Sequence, residues 1–361
     1  MEFQEIYSDL NIKEMEVKIH NLFPDWQISF SELVKSVYEG EGKGILEMFF
    51  KNVKDTLILE WKDIKNVFVT IVILILIASL FHTFKDVFRN QQIAEISFYI
   101  NYLILIIIFT NLFGTVLDIG EKTLRAMEEF MRIFFPTYFL VVGNTLGIGT
   151  GLAYYQIAGI VIYLVEWCLL SFLLPALSAY MLFVLMNGVW EEEKLSLLLD
   201  FYKRGIKFLL KVMLGILTGA GMIQSMIVPM IDRIKGETVY KAIESIPGIG
   251  EVTEGALRIW LGSAVLIKNS IGIVGCMLLI MICLTPVIKI LITGGFLKIT
   301  AAILSFVGDK KMINCTNQVG DGIFMILQTV CYGILFFLVL IAISSYTTSS
   351  PVREANSRAT L

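Results

Sequence analysis

Two long, predominantly apolar runs near the start of the chain restrict what it can fold into. They lie at 66–84 and 96–117. Each has close to the roughly 20 apolar residues that a helix needs to cross about 30 Å of hydrocarbon. Because a backbone in lipid must satisfy its own N–H and C=O groups, such runs are expected to be helices. The sequence therefore predicts an all-α, polytopic membrane protein.

The overall composition agrees with a chain whose main solvent is lipid. Of its 361 residues, 56% are hydrophobic and 17% are charged, and the mean hydropathy is +0.76. Soluble domains are about 45–50% apolar and about 25% charged. The net charge is −3 and the basic residues form no long patch. We therefore expect membrane lipid, and not nucleic acid, around this chain.

The region before the first apolar run is polar and mixed. Residues 1–65 predict an N-terminal extramembrane region with two amphipathic helices, one around Leu33, Val34 and Val37 and one over 45–65. No charged-then-apolar signal segment opens the chain. We expect it either to insert through its first internal span or to have lost a signal segment.

The rest of the chain divides into four parts. Residues 66–120 are predicted to hold the first two transmembrane helices. Two membrane repeat units follow, at 121–231 and 232–345. The polar tail 346–361 is interpreted as a disordered end or a vector remnant, and it is excluded from the fold.

The two repeat units are indicated by a spacing of 111 residues that occurs three times. Each unit has a proline that ends an amphipathic helix, a glycine in the lead-in to an apolar run, and a proline inside that run. The matching pairs are Pro136 with Pro247, Gly151 with Gly262, and Pro175 with Pro286. Internal repeats of this kind are common in transporters.

Each unit is predicted to contain the same series of elements. An amphipathic helix, ending at Phe135 in the first unit, is expected to lie in the membrane interface. A glycine-rich stretch leads to an apolar run of about 36 residues, which is too long for one straight span. The proline in that run favours either a kinked span or a re-entrant helical hairpin. A charged turn and a final span, beginning near Gly205 or Gly322, close the unit.

Lysine and arginine residues in short loops indicate the orientation in the membrane. Three loops carry them: Lys85 and Arg89; Lys194, Lys203, Arg204 and Lys207; and Lys310 and Lys311. Placing all three loops in the cytoplasm puts the N-terminus outside. The chain then has about six net spans, and its two repeat units are parallel.

The sequence lacks the motifs of the common enzyme classes. There is no GxxxxGK[ST] phosphate loop and no GxSxG elbow, and His20 and His82 are too far apart for HExxH. The five cysteines include no CxxC and are interpreted as reduced packing residues. We therefore expect a protein that is not an enzyme, with no catalytic residues, no cofactor and no metal.

Two ionisable residues inside apolar runs are the candidate functional residues. Glu166 follows Val165, and Lys289 lies three residues after Pro286. Charges at such depth usually face a bundle interior or a wet cavity, so one or both are predicted to line a conduit or a subunit interface. Pro175 and Pro286 are predicted hinges beside them. A structural Glu–Lys pair, or a lysine reaching the headgroups, is the alternative interpretation.

Several blocks of sequence together resemble the stage III sporulation protein AE family. They are Ser-Ile-Pro-Gly-Ile-Gly at 245–250, the run 261–272, Cys-Leu-Thr-Pro-Val-Ile-Lys at 283–289, and Gly-Asp-Lys-Lys at 308–311 followed by Gly-Asp-Gly at 320–322. The resemblance covers roughly 5–345. The chain departs from the family pattern in two ways. It does not begin with a signal-like apolar segment, and its tail after about Ser345 does not resemble the family.

The resemblance implies a role that the residues alone do not supply. Members of the family act in endospore formers, in the mother-cell membrane that surrounds the forespore. They belong to a channel complex, similar to specialised secretion systems, that is needed for late forespore gene expression and forespore integrity. The implied partners are a cytoplasmic ATPase, intermembrane ring proteins, a forespore-side membrane protein and further copies of the chain. The missing phosphate loop agrees with an ATPase supplied by a partner.

Two other functions stay open from the residues themselves. A stand-alone small-solute permease is slightly favoured by the parallel repeats and the prolines within spans. A membrane scaffold without a conduit would need none of the intramembrane charges.

Overall fold

The computed structural model consists of long helices packed side by side. It describes residues 91–146, 148–189, 195–219, 250–306 and 309–347, together with the isolated positions 33, 34, 37, 65, 69–73 and 75–77. Every regular element within these residues is a helix, and none is a strand. The predicted all-α fold is confirmed.

From residue 91 onward the described part of the chain forms six α-helices and one π-helical segment. They are α1 (Gln91–Leu146), α2 (Ile148–Glu166), the π segment (Trp167–Leu173), α3 (Leu174–Val189), α4 (196–219), α5 (Gly250–Leu304) and α6 (Lys310–Thr347). The π segment continues α2 into α3 without a break, so these three elements form one rod.

Four of these segments are long and apolar enough to cross a membrane. By length and composition they are Tyr99–Phe139, Ala158–Val189, Asn269–Leu304 and Lys310–Ser344. The protein is therefore an all-α membrane protein. Of the predicted first span, positions 69–73 and 75–77 are helical, with Ile71 and Ile75 buried. The rest of that span lies outside the described residues, so six net spans and the division into domains stay predictions.

The structure corrects the prediction that Phe135 ends a separate amphipathic helix. The predicted second span and the amphipathic helix after it belong to one helix, α1, which runs through Pro136. The polarity of α1 changes mainly on its exposed side, whereas its buried side stays largely apolar from Tyr102 to Tyr138, with Thr123 and Glu128 as buried exceptions. The buried positions recur at helical spacing: Tyr102, Leu105, Phe109, Phe113, Val116, Leu124, Met127, Phe130, Phe134 and Tyr138. This continuous apolar side keeps α1 a single helix.

The prolines within the apolar runs do not fold those runs back on themselves. Pro286 lies inside the uninterrupted helix α5, and Pro175 is the second residue of α3, directly after the π segment. A re-entrant hairpin is therefore wrong for both runs. Proline lacks a backbone N–H, and a π turn is one local adjustment by which a membrane helix accommodates it.

Polar caps determine where the helices after the two turns begin. The amide oxygen of Asn187, a buried residue, accepts a hydrogen bond from the backbone N–H of Leu195 at 3.0 Å. The Asp309 carboxylate accepts bonds from the N–H groups of Lys311 and Met312, which makes Asp309 the N-cap of α6. The predicted helix starts near Gly205 and Gly322 are therefore wrong, because α4 begins at 196 and α6 at 310.

The α3–α4 and α5–α6 turns lie at the same end of the bundle, which we call the turn end. The Tyr102 hydroxyl, on α1, donates to the Leu185 carbonyl near the end of α3 at 3.0 Å, and it contacts the Cys315 Sγ near the start of α6 at 3.5 Å. From there α1 and α6 run in the same direction, since Leu124 meets Gly333 further along both helices.

Glycines lie where these helices approach each other most closely. A methyl group at Gly120 of α1 would lie 2.8 Å from Ile326 of α6, and one at Gly333 of α6 would lie 2.8 Å from Leu124 of α1. At Gly275 of α5 a methyl group would overlap the ring of Phe134. Small residues at helix contacts are how membrane helices pack without a strong hydrophobic force between them.

Candidate functional site

Glu166, the first sequence-predicted site residue, lies in the contact between the rod and α1. Its carboxylate is 3.0 Å from the Arg132 guanidinium of α1, which also contacts the Glu128 carboxylate at 2.5 Å. The side chains of Glu166 and Glu128 are 19% and 10% exposed, whereas that of Arg132 is 60% exposed. One arginine thus holds two largely buried carboxylates, and its outer side remains accessible.

Lys289, the second predicted residue, does not pair with Glu166. It is half-buried on α5, and its carbonyl accepts a hydrogen bond from the Thr293 hydroxyl at 2.9 Å. The partner that the structure gives Glu166 is Arg132 of α1. Pro286 is half-buried one turn before Lys289, and Pro175 is exposed. The structure does not bring the four predicted residues into one site, and their conduit role stays a prediction.

Asp321 forms a second charged cluster, which joins three helices. One of its carboxylate oxygens accepts from the Lys203 ammonium of α4 at 2.7 Å, and the other contacts the Lys298 ammonium of α5. Lys298 also donates to the Asn317 side-chain oxygen at 2.6 Å. The three charged side chains are 23% to 31% exposed. We call Lys203, Lys298 and Asp321 the three-helix clamp.

Aromatic and small residues surround this clamp. The Lys203 ammonium lies 5.9 Å from the centroid of the Tyr180 ring, and the Tyr180 hydroxyl donates to the Gln318 carbonyl at 3.2 Å. A methyl group at Gly320 would meet the Lys298 side chain at 3.3 Å. The aliphatic part of Lys298 therefore crosses α6 at a position without a side chain, which lets its ammonium reach Asp321.

The clamp fixes how the two basic regions lie relative to each other. It ties Lys203 of α4, which is followed by the exposed Arg204 and Lys207, to Asp321 in the first third of α6, the helix that begins at Lys310. Both basic regions therefore lie at the turn end, which agrees with their predicted placement on one side of the membrane. The third basic loop, with Lys85 and Arg89, lies outside the described residues.

The sequence itself contains a signal for two residues of the clamp. Asp321 is flanked by two glycines in an apolar helix, and Lys298 stands in an apolar stretch of α5. Glu166 and Lys289 were predicted as site residues because they are ionisable residues within apolar runs, and Asp321 and Lys298 meet the same criterion. Arg132 gave no such signal, since it follows a run of other charged residues.

All five cysteines are free, and only Cys331 is exposed. Within the described residues there is no group of three His, Cys, Asp or Glu side chains that could hold a metal ion. The described part of the site therefore offers ion pairs and packing contacts.

Comparison with known proteins identifies the family of this helical membrane chain. The family model described as "Stage III sporulation protein AE (spore_III_AE)" matches residues 28–348. The chain belongs to this family. The "Stage III sporulation protein AE" of Bacillus subtilis (strain 168) is 21% identical over 276 residues, which are 76% of this chain and 69% of that protein. No solved structure matches the chain.

Family membership agrees with the resemblance inferred from the sequence blocks. The matched range includes the blocks between 245 and 322 that carried it, and it also includes α1 to α6. A role in sporulation follows for this membrane protein.

Proposed function

We propose that this chain is the membrane core of the sporulation channel complex that links mother cell and forespore. The observation that carries the proposal is the match to the stage III sporulation protein AE family over 28–348, in a chain with four candidate membrane spans. In this role the protein is not an enzyme. It serves late forespore gene expression and forespore integrity from the mother-cell membrane around the forespore.

The proposal includes partners that supply what the chain lacks. A cytoplasmic ATPase provides energy, because the sequence has no phosphate loop of its own. Intermembrane ring proteins, a forespore-side membrane protein and further copies of the chain complete the passage. The basic turn end faces the ATPase in the cytoplasm, in keeping with the positive-inside rule.

A stand-alone small-solute permease is the second candidate. Charged clusters between apolar helices, such as Glu166 with Arg132 and the three-helix clamp, also occur in transporters. The two functions differ in whether the chain works alone.

The test is to purify the tagged full-length chain from sporulating cells and to measure solute uptake in liposomes. We expect an ATPase and ring proteins to co-purify and the purified chain to show no saturable uptake. Saturable uptake by the chain alone, with no co-purifying sporulation protein, would contradict the channel role and support the permease.

Alanine substitution of Glu166 or Lys289 is expected to impair sporulation while the protein stays in the membrane. Glu166→Ala removes the carboxylate that joins α2 to Arg132 of α1 and leaves Arg132 paired with Glu128 of its own helix alone. Lys289→Ala removes a half-buried charge from α5. Heat-resistant spore counts and membrane immunoblots provide the measurement. Leu164→Ala, at an exposed apolar position beside Glu166, is the control. Normal spore counts with both charges replaced would contradict the prediction.

A further inference from the structure

The exposed side of α1 carries a line of charges within the membrane part of the bundle. Five residues at alternating spacings of four and three share this helix face. They are Asp118, Lys122, Arg125, Glu129 and Arg132, which we call the charged stripe. Their side chains are accessible, with Lys122 at 75%, Arg132 at 60%, Arg125 at 59% and Asp118 at 56% exposure. The stripe covers about 21 Å along the helix.

The same side of α1 is apolar nearer the turn end. Ile100, Leu103 and Ile107 are 55%, 58% and 60% exposed, as expected for a surface in contact with lipid. Exposed polar and small residues follow at Asn111 and Thr115. The exposed side of one continuous helix thus changes from apolar, through polar, to charged with distance from the turn end.

Contacts show which parts of the neighbouring helices lie at the height of the stripe. Arg132 contacts Glu166, which is the last residue before the π segment. A methyl group at Gly333 of α6 would lie 2.8 Å from Leu124, which belongs to the part of α1 that carries the stripe. It would also lie 3.4 Å from Leu169 of the π segment. The π segment and the middle of α6 are therefore level with the stripe.

The outer surfaces at that height are apolar. Trp167 and Phe172 of the π segment are 57% and 54% exposed, and Leu335 of α6 is 40% exposed. Exposed apolar side chains of this size suit lipid, and tryptophan is enriched at the membrane interface. The rod from Trp167 to Val189 extends about 34 Å, close to the thickness of the hydrocarbon. Phe172 and the part of the stripe nearer the turn end then lie inside the bilayer.

Charged side chains at that depth are incompatible with direct lipid contact on the stripe side. The stripe satisfies much of its own charge, because Lys122 pairs with Asp118 at 2.7 Å and Arg125 with Glu121 at 2.8 Å. It therefore needs no counter-charge from a partner. What these exposed ion pairs need is water, since desolvating them costs free energy that they do not recover from each other.

We infer that the charged stripe of α1 is the water-facing side of this chain within the membrane, and that it lines an aqueous vestibule open at the end opposite the turns. The vestibule ends toward the turn end, where the same side of α1 becomes apolar. The inference deepens the proposed channel role and rests on it for its biological meaning, because it names which surface of the chain faces the passage.

Thiol labelling at matched heights tests the vestibule. Single cysteines are placed on the stripe (Lys122→Cys, Arg125→Cys), on the apolar side (Phe172→Cys) and at the turn end (Lys310→Cys) of the full-length chain. Cys276 and Cys331 are replaced by alanine, and the three remaining native thiols are buried. A membrane-impermeant maleimide is applied to membrane vesicles of each orientation, and its reaction rates are compared.

The stripe cysteines are expected to react about tenfold or more faster than the cysteine at Phe172, because an apolar environment suppresses the reactive thiolate. They should react in the vesicle orientation in which the cysteine at Lys310 does not. Stripe cysteines that are as slow as the one at Phe172, or that react from the same side as the one at Lys310, would overturn the vestibule.

Nitroxide labels at the same stripe and apolar positions provide a second measurement. Collision with a water-soluble nickel complex reports water, and collision with oxygen reports lipid. We expect the nickel complex to reach Lys122→Cys and Arg125→Cys, and oxygen to dominate at Phe172→Cys. Oxygen dominating at the stripe would mean lipid contact, and low access to both would mean a covering protein; either result overturns the inference. These readouts need no spores, so their failure is separable from failure of the channel role.

Discussion

Replacing Asp321 by asparagine is expected to lower the free energy of unfolding by about 2 kcal/mol. The carboxylate joins Lys203 of α4 and Lys298 of α5, and all three charged side chains are less than a third exposed. Asparagine keeps the shape but removes the charge that holds two lysines together. Thermal unfolding of the purified full-length chain in detergent measures the loss.

Asp118→Asn is the matched control for this prediction. Asp118 also pairs with a lysine, Lys122, but the two side chains are 56% and 75% exposed. Such a pair contributes about 0–1 kcal/mol. Equal destabilisation by the two substitutions would contradict the view that Asp321 ties the three helices together. Adding Lys298→Gln to Asp321→Asn should recover part of the loss, because it removes one of the unpaired charges.

Substituting Gly275 by alanine is expected to cost about 1–3 kcal/mol, because it overpacks the contact between α5 and α1. The added methyl group would overlap the ring of Phe134, which is fully buried and stacked on Phe130 and Tyr138 at centroid distances of 5.6 and 5.5 Å. A ring held by two others cannot move aside freely. Thermal unfolding in detergent again provides the measurement.

Gly295→Ala, on the same helix, separates packing from helix propensity. A methyl group there has no other atom within 4 Å. It should be neutral or stabilising by up to about 1 kcal/mol, the usual advantage of alanine over glycine in a helix. The double variant Gly275→Ala with Phe134→Leu should recover stability relative to Gly275→Ala alone. No recovery would mean that the ring is not the obstacle.

Much of the fold was predictable because lipid leaves few options for a backbone. Long apolar runs had to be helices, and α1, the rod, α5 and α6 are helices over those runs. The charged turn at Asp309 was predictable as well, since aspartate is a common N-cap. The helix start predicted near Gly322 nevertheless lies well inside α6, which begins at Lys310 directly after this cap.

The continuity of α1 was not predictable from average hydropathy. Asp118 to Arg132 lower the average, although the side of the helix formed by Leu124, Met127 and Phe134 stays buried. Proline at 136 reinforced the expectation of a helix end, yet membrane helices tolerate proline where neighbouring groups compensate for it. If hydropathy is evaluated separately for the two faces of the helix, the buried face stays largely apolar across both the charged residues and Pro136. This pattern predicts one continuous helix.

Partner choice among the charges depends on tertiary structure. Glu166 contacts another helix of the same chain, and its partner there, Arg132, lies 34 positions earlier in the sequence. Asp321 and Lys203 are 118 positions apart. No spacing within a helix predicts such pairs, because they depend on how α1, α4, α5 and α6 lie against each other.

The most direct test of the channel role is a reporter of late forespore transcription in the spore-forming organism that carries this gene. The gene is deleted, and the reporter is imaged after engulfment. We expect the reporter to stay off in forespores that engulf normally and then shrink, and to be restored by the full-length chain. A reporter that fires normally without the gene would contradict the account and leave the stand-alone permease as the better explanation.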